Sequence, residues 1–318
     1  MDLTEIIKKQ DFFKTLVQEK ENGTLTNSIL FFCEDEATSR ATLVLSALLL
    51  EFPTFELMNE KSAEYVRIAG GADLDVKVFP KNDQKLLVSD SEEIVTEAYV
   101  KPVSLPYKIF ILNNFDVSTT EAQNKLLKVL EEPPKNVFFL LSAKSEEKVL
   151  PTIKSRCKKV KINPLGEDEI SKISQNTLAN ILGRGYVGKT LALAKNDELS
   201  SIVSFAVSLV TELKNSKQVL KFSKRFLELK ENVDLILEVV SLCLEDLLKM
   251  KCESENLCKL TPYADELRDV EPEYSVLAIT EISKLISTFR EKMEFNANIT
   301  VAVDGFLLKM LEVKYLCK

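Results

Sequence analysis

The sequence contains no histidine and no tryptophan, and its six cysteines are scattered with no C-x-x-C pair among them. Without histidine, imidazole-based acid–base catalysis is excluded, and a zinc site lacks its usual nitrogen ligand. We therefore expect neither a metal nor another cofactor. The cysteines are typical of a reduced protein interior rather than of a disulfide framework.

Long apolar runs and a signal sequence are also missing. No apolar stretch approaches the ~20 residues that span a bilayer, and the opening MDLTEIIKKQDFF is acidic and amphipathic. We expect a cytoplasmic protein with no membrane partner. The net charge of -7 argues against a protein that coats nucleic acid on its own. The length of 318 residues allows two or three domains.

Short apolar, β-rich runs alternate with helical stretches in the first half of the chain. The runs are SILFFC (28–33), DVKVF (75–79), YKIFIL (107–112), NVFFLLS (136–142) and KKVKI (158–162). This alternation predicts an α/β fold with a parallel five-stranded sheet and helices on both faces. Ser118 and Glu121 have capping-box spacing before a helix that Pro133 stops. From about residue 198 the pattern is helical throughout.

Glycine is scarce, with 8 in the chain, yet GRGYVGKT, from Gly183 to Thr190, satisfies the pattern G-x-x-x-x-G-K-[ST] of phosphate-binding loops. Such a loop needs a buried strand that delivers a glycine-rich turn to a helix N-terminus. Here the preceding EDEISKISQNTLANIL has helical spacing, and the segment follows all five strand candidates. The context favours a helix-turn-helix with glycines in the turn.

A phosphate loop would be expected after the first strand, where the sequence continues EDEATSRATLVLSALLLE. The positions of its two glycines, its lysine and its hydroxyl carry Glu34, Ser39, Arg40 and Ala41. Carboxylates repel phosphate, and the lost glycines remove backbone freedom. The third strand ends in Asn113 and Asn114 rather than in acids that could hold Mg²⁺. The sequence therefore predicts a degenerate nucleotide site.

The stretch from Tyr107 to Leu165 contains AQNKLLKVLEEPP, an FFL strand and SRC in the order that resembles bacterial clamp-loader subunits, most closely the delta prime group of DNA polymerase III. The resemblance covers roughly residues 20–194. It implies an AAA+ core over 1–163, a small helical lid over 164–197 and an all-α C-terminal collar, the oligomerisation domain, over 198–318. The zinc module found in many members has no counterpart here, because the segment after the first helix, FPTFELMNEKSAEYVRIAGGADLDV, contains no cysteine.

The resemblance also assigns roles to particular residues. GYVGK (185–189) occupies the place of a lid motif whose arginine senses nucleotide, so Lys189 stands at the sensor position. Ser155, Arg156 and Cys157 form an intact SRC motif, and it implies that Arg156 acts in trans on ATP bound by a neighbouring subunit. The competing interpretation is a solvated surface arginine in the basic run KSRCKKVK.

The function implied is that of a non-hydrolysing subunit that completes the clamp-loader ring. Its partners would be the gamma/tau and delta subunits in a hetero-pentamer, with the sliding clamp and primer-template DNA reached through the complex. Two other functions stay open at this point. One is an active P-loop ATPase with an unusual site, and the other is an AAA+ scaffold in another complex.

Overall fold

The computed structural model describes residues 2–81, 85–294 and 298–316. The chain divides into two compact units. The first comprises Met1–Ile173 and Gly185–Leu191, and the second comprises Ser174–Arg184 and Ala192–Lys318. Residues 164–197, which we expected to form a lid of their own, contribute to both units, and the three-part division of the chain stays a prediction.

A five-stranded parallel sheet lies at the centre of the first unit. Its strands are β1 (Ser28–Phe32), β2 (Val76–Phe79), β3 (Lys108–Leu112), β4 (Val137–Ala143) and β5 (Lys158–Lys161). Their order in the sheet is β2-β3-β4-β1-β5, and every pairing is parallel. All five strands predicted from the sequence are confirmed.

The described residues from 2 to 194 contain ten α-helices. They are α1 (Leu3–Lys9), α2 (Asp11–Glu21), α3 (Glu36–Glu51), α4 (Ala63–Ala69), α5 (Val88–Ala98), α6 (Thr120–Glu131), α7 (Pro151–Lys154), α8 (Glu167–Ser171), α9 (Thr177–Gly183) and α10 (Val187–Ala194). Alternate side chains of each central strand point to opposite faces of the sheet. Ile29 and Phe31 pack with α1–α4 on one face, and Leu30 packs with α5–α7 on the other. Helices cover both faces, as predicted.

The second unit is helical throughout its described residues. After the contributions of α9 and α10 it comprises α11 (Leu199–Thr211), α12 (Ser216–Glu228), α13 (Val233–Lys251), α14 (Ala264–Val270), α15 (Val276–Glu294) and α16 (Ile299–Leu316). The core of this unit contains a buried cation, the ammonium of Lys314. It forms a 2.7 Å ion pair with Glu273 and lies 4.6 Å from the ring centroid of Tyr274. The predicted helical character from about residue 198 is confirmed. None of the helices among the described residues has the length and apolarity that a bilayer span requires.

The start of α6 differs from the prediction by one residue. Thr119, not Ser118, is the N-cap, because its hydroxyl accepts a hydrogen bond from the Ala122 N–H at 3.2 Å. The Ser118 hydroxyl instead donates to the Phe115 carbonyl within the preceding turn. Either hydroxyl suits a cap chemically, so the geometry of the turn after β3 decides between them.

A buried carboxyl group ends helix α3. The Glu51 side chain is 5% exposed, and burial raises its pKa to about 8, with Asp73 and Asp75 acting in the same direction and Lys20 opposing them. In the unfolded chain the same group ionises near 4.5. The folded state therefore keeps a proton that the unfolded state releases between about pH 5 and 8. Because unfolding releases this proton, stability falls as the pH rises through that range.

We expect the free energy of unfolding to fall by a few kcal/mol between about pH 5 and 8, and Glu51→Gln to remove most of this slope. No histidine titrates in this range, because the chain has none. The thiols of the buried Cys33 and Cys157 do not titrate there in the folded state, since burial raises their pKa values to about 12. Urea unfolding followed by circular dichroism measures the free energy of unfolding of the wild type and of Glu51→Gln at each pH. A wild-type free energy of unfolding that stays constant or rises over this pH range would contradict a raised pKa for Glu51.

Candidate functional site

GRGYVGKT forms a helix-turn-helix rather than a phosphate loop. Helix α9 ends at Gly183, Arg184 and Gly185 have φ of 51° and 83°, and α10 begins at Val187. The left-handed turn requires glycine at 185, where a Cβ would lie 2.8 Å from the Cβ of Pro164. Helix α9, not a strand, leads directly into the turn, so the prediction from sequence context is confirmed.

The junction of β1 and α3, where a phosphate loop was expected, is too short to form one. Strand β1 ends at Phe32 and α3 begins at Glu36. Ser39 and Ala41 are therefore residues of α3 itself. Ala41 is buried in the core between α3 and the sheet. Arg40 is exposed on the same helix. The four positions compared with a phosphate loop do not surround an open cradle.

Asp35 occupies the anion position at the start of α3. Its carboxylate accepts hydrogen bonds from the Thr38 N–H at 3.1 Å and from the Thr38 hydroxyl. The N-terminus of a helix binds phosphate through these same free N–H groups and its positive dipole end. A phosphate would have to displace a carboxylate that already accepts from one of them, beside the further charges of Glu34 and Glu36.

Helix α10 closes the space in front of this helix terminus. The Gly188 N–H donates to the Thr38 hydroxyl at 3.2 Å, so Gly188, Thr38 and Asp35 form a short relay. A Cβ on Gly188 would lie 2.6 Å from the Ala37 Cβ and 3.0 Å from the Thr38 nitrogen. Only glycine permits this approach. Lys189, at the expected sensor position, follows directly and is half-buried.

Two cavities lie at this end of the sheet, one of about 370 Å³ beside Cys33, Glu34 and Tyr186, and a much smaller one where the nucleotide site was expected. The smaller cavity, of about 10 Å³, is lined by Glu36, Ser39, Arg40, Asn113, Asn114 and Ser142. The structure therefore brings Ser39, Arg40, Asn113 and Asn114 together around one cavity. A cavity of this volume accommodates about one water molecule and not a triphosphate.

Charges around this cavity are paired within the chain. Lys144, which follows β4, forms a 3.0 Å ion pair with Glu36. The hydrogen bond from Lys144 lowers the pKa of Glu36, and one from Asn114 contributes. Beside the cavity, Glu34 is hydrogen-bonded to Tyr186, whose pKa is raised to about 12 chiefly by burial. The described residues contain no group of three His, Cys, Asp or Glu side chains that could hold a metal ion.

The SRC motif lies apart from this cavity, directly after the short helix α7. Arg156 donates from Nε and Nη2 to Glu131 Oε2, at 3.0 and 2.8 Å, and from Nη1 to the Thr152 carbonyl at 3.0 Å. The Ser155 hydroxyl donates to the same carbonyl. Cys157 packs in the core between the sheet and α6, and burial raises its pKa to about 12. Cys157 thus anchors the motif while Arg156 reaches the surface.

Helix α6 fixes the segment that leads into this motif. The buried Gln123 side chain donates to the Lys148 carbonyl at 3.2 Å and accepts from the Leu150 N–H at 2.9 Å. Since α7 begins at Pro151, these two bonds set where the helix starts. AQNKLLKVLEEPP and SRC are therefore one structural element, in which the first motif holds the second.

Comparison with known proteins assigns the chain to a family. The family described as DNA polymerase III, delta subunit, matches residues 8–166, half of the chain. The chain belongs to this family. The match includes both the β1–α3 junction and the segment with Arg156, and it confirms the resemblance to clamp-loader subunits.

Curated relatives include two kinds of subunit. DNA polymerase III subunit gamma of Buchnera aphidicola subsp. Schizaphis graminum is 31% identical over 149 residues, which is 46% of this chain and 39% of that protein. DNA polymerase III subunit delta' of Bacillus subtilis is 22% identical over 219 residues, which is 64% of this chain and 66% of that protein. The matched region is thus well under half of the gamma relative and about two thirds of the delta' relative.

One solved structure resembles nearly the whole chain. It is the crystal structure of a DNA polymerase III gamma subunit-related protein from Thermotoga maritima, with a TM-score of 0.54 and 18% identity, covering 96% of this chain and 100% of that chain. This likeness concerns the fold. It confirms the predicted class, an α/β core with a five-stranded parallel sheet followed by helical regions.

Sequence reasoning missed several residues of the site. Thr38 and Gly188 bond to each other at the start of α3, and Lys144 pairs with Glu36. Glu131 and Gln123 hold the SRC motif. The spacing D-x-x-T at Asp35 was available as a helix N-cap signal and could have located the true start of α3. The remaining contacts join residues far apart in sequence, and no local pattern indicates them.

We predict that Gly188→Ala lowers the free energy of unfolding by about 1–3 kcal/mol, because the added methyl overlaps the first turn of α3. The matched control is Gly305→Ala in α16, where an added Cβ meets nothing within 4 Å. Helix propensity alone should make that variant more stable by about 0.5–1 kcal/mol. Urea unfolding measures both. Shifts of the same sign in the two variants would contradict close packing at Gly188.

Proposed function

We propose that this chain is a non-hydrolysing, delta prime-like subunit of the DNA polymerase III clamp loader. It completes the ring in the cytoplasm and supplies Arg156 to the ATP site of a neighbouring subunit. The neighbours would be gamma/tau and delta subunits in a hetero-pentamer, which loads the sliding clamp onto primed DNA. The observation that carries the proposal is the contrast between a filled phosphate position at Asp35 and an intact, surface-reaching Arg156.

Loss of hydrolysis follows from the filled position. Asp35 and Gly188 occupy the space in which phosphates would contact the helix terminus. Asn113 and Asn114 provide no negative charge for Mg²⁺. An active P-loop ATPase, the first alternative, would require α10 to leave α3 and Asp35 to release its cap. The curated gamma relatives make that alternative worth a direct test.

Arg156 has the geometry that action in trans requires. Its side chain is 28% exposed and is held on the surface rather than buried in the core. A guanidinium stays charged at all relevant pH values and can bind two phosphate oxygens at once. In a ring of subunits, a group on one surface can reach a site on the next.

The second unit would carry assembly, as the proposed collar. A groove of about 260 Å³ between α15 and α16 is lined by apolar side chains that include Phe289, Val301 and Phe306. Val301 is 70% exposed. A fixed joint in this unit would leave the AAA+ cores free to move during an ATP cycle. An AAA+ scaffold in another complex, the second alternative, would use the same surface with different partners.

We predict that the isolated chain binds Mg²⁺-ATP no more tightly than about 1 mM, since each phosphate contact is already used or repelled. Equilibrium binding of labelled ATP measures this, with a nucleotide-binding AAA+ subunit as the positive control. Micromolar affinity would contradict the proposal. If Lys189→Ala then abolished that affinity, the segment GRGYVGKT would be the site.

We predict that Arg156→Ala lowers the ATPase turnover of the reconstituted clamp loader in the presence of clamp and primed DNA. Loss of an arginine finger costs ~10³ or more at a single site, and a ring with several sites shows less. Arg156→Lys should not restore turnover fully, because an ammonium cannot form the two parallel bonds of a guanidinium.

Two controls accompany this experiment. Gel filtration establishes that the Arg156 variants still assemble. Lys161→Ala removes another exposed charge of the same basic run and should leave turnover unchanged. Unchanged turnover in a fully assembled Arg156→Ala complex would reduce this chain to a structural member of the ring.

A further inference from the structure

Arg156 is held from one side only. Glu131, the last residue of α6, receives Nε and Nη2 on the single oxygen Oε2, and the Thr152 carbonyl receives Nη1. A guanidinium has five N–H groups. Three of them are used within the chain, which leaves one N–H on Nη1 and one on Nη2. These two terminal donors are the pair that binds a phosphate bidentately.

The ion pair is not placed where it would stabilise the fold strongly. The side chain of Glu131 is 56% exposed and that of Arg156 is 28% exposed. Ion pairs in such positions contribute little to folding because water screens both charges. The pair does restrict the conformations of a long side chain that otherwise has many rotamers.

The backbone of Glu131 is fixed by its place at the end of α6. It ends a helix whose last turn is closed by the bond from the Glu132 N–H to the Lys128 carbonyl at 3.1 Å, and Pro133 and Pro134 follow. Proline limits the backbone of the residue before it. At the other end of α6, Gln123 fixes the segment that leads into α7. Both ends of α6 therefore contact the element that carries Arg156.

We propose that Glu131 is a positioning residue for Arg156. It orients the guanidinium with its two terminal N–H groups directed away from its own chain, ready for the phosphate oxygens of ATP on a neighbouring subunit. This inference rests on the proposed function, since it presupposes that Arg156 acts in trans. It adds a second residue to that role, and it gives a function to the first glutamate of LEEPP.

The role makes a specific kinetic prediction. A prearranged arginine lowers the entropy lost when the transition state forms, and it has little influence on the initial binding of ATP. Glu131→Ala should lower kcat of the reconstituted complex about tenfold at the site that Arg156 serves, with KM for ATP changed less than about twofold. Glu131→Gln, which keeps one acceptor oxygen, should have a smaller effect.

The matched control is Glu132→Gln, which removes the adjacent exposed carboxylate and should leave kcat unchanged. A double-mutant cycle separates positioning from a general structural effect. In complexes that carry Arg156→Ala, the additional change Glu131→Ala should have no further effect on turnover. Each complex is assembled from full-length subunits and assayed with clamp and primed DNA.

The outcomes distinguish this inference from the function on which it rests. Full turnover with Arg156→Ala would overturn the proposed action in trans, and the role of Glu131 with it. Loss of turnover with Arg156→Ala, combined with unchanged or raised turnover for Glu131→Ala, would overturn the role of Glu131 alone. An equal further loss from Glu131→Ala in the Arg156→Ala complex would also overturn it, since Glu131 would then act independently of Arg156.

Discussion

The carboxylate of Asp35 at the first turn of α3 is the interaction on which the interpretation of this protein depends. It satisfies N–H and hydroxyl donors of Thr38 that face the phosphate position. Because Thr38 also accepts from Gly188, the cap is tied to α10. An internal carboxylate thus occupies the cap position of α3.

The packing of α10 on α3 also explains why the GRGYVGKT segment matches the pattern of a phosphate loop without having its conformation. Its glycines serve packing and backbone geometry. Gly185 takes a left-handed turn that other residues adopt poorly, and Gly188 allows close contact with Ala37 and Thr38. The same residue type that lets a backbone approach a phosphate here lets one helix approach another.

A second organising element is α6, which lies on the opposite face of the sheet from α3. Through Gln123 and Glu131 it contacts the loop before α7 and the arginine after it. Cys157 adds an anchor in the core beside this helix. The two faces therefore differ: on one face α3 is capped by Asp35, and on the other α6 holds an arginine that reaches the surface.

The amino-acid sequence by itself determined the five strands, their burial on two faces and the helix-turn-helix at Gly183–Thr190, because side-chain periodicity and glycine geometry are local properties. It also determined that phosphate-loop residues are missing after β1. Only the tertiary structure decided that Gly188 packs against the first turn of α3 and that Glu131 holds Arg156. Gly188 and Thr38 are 150 residues apart, and Glu131 and Arg156 are 25 apart. Such contacts depend on how the elements pack, and no local spacing in the chain encodes them.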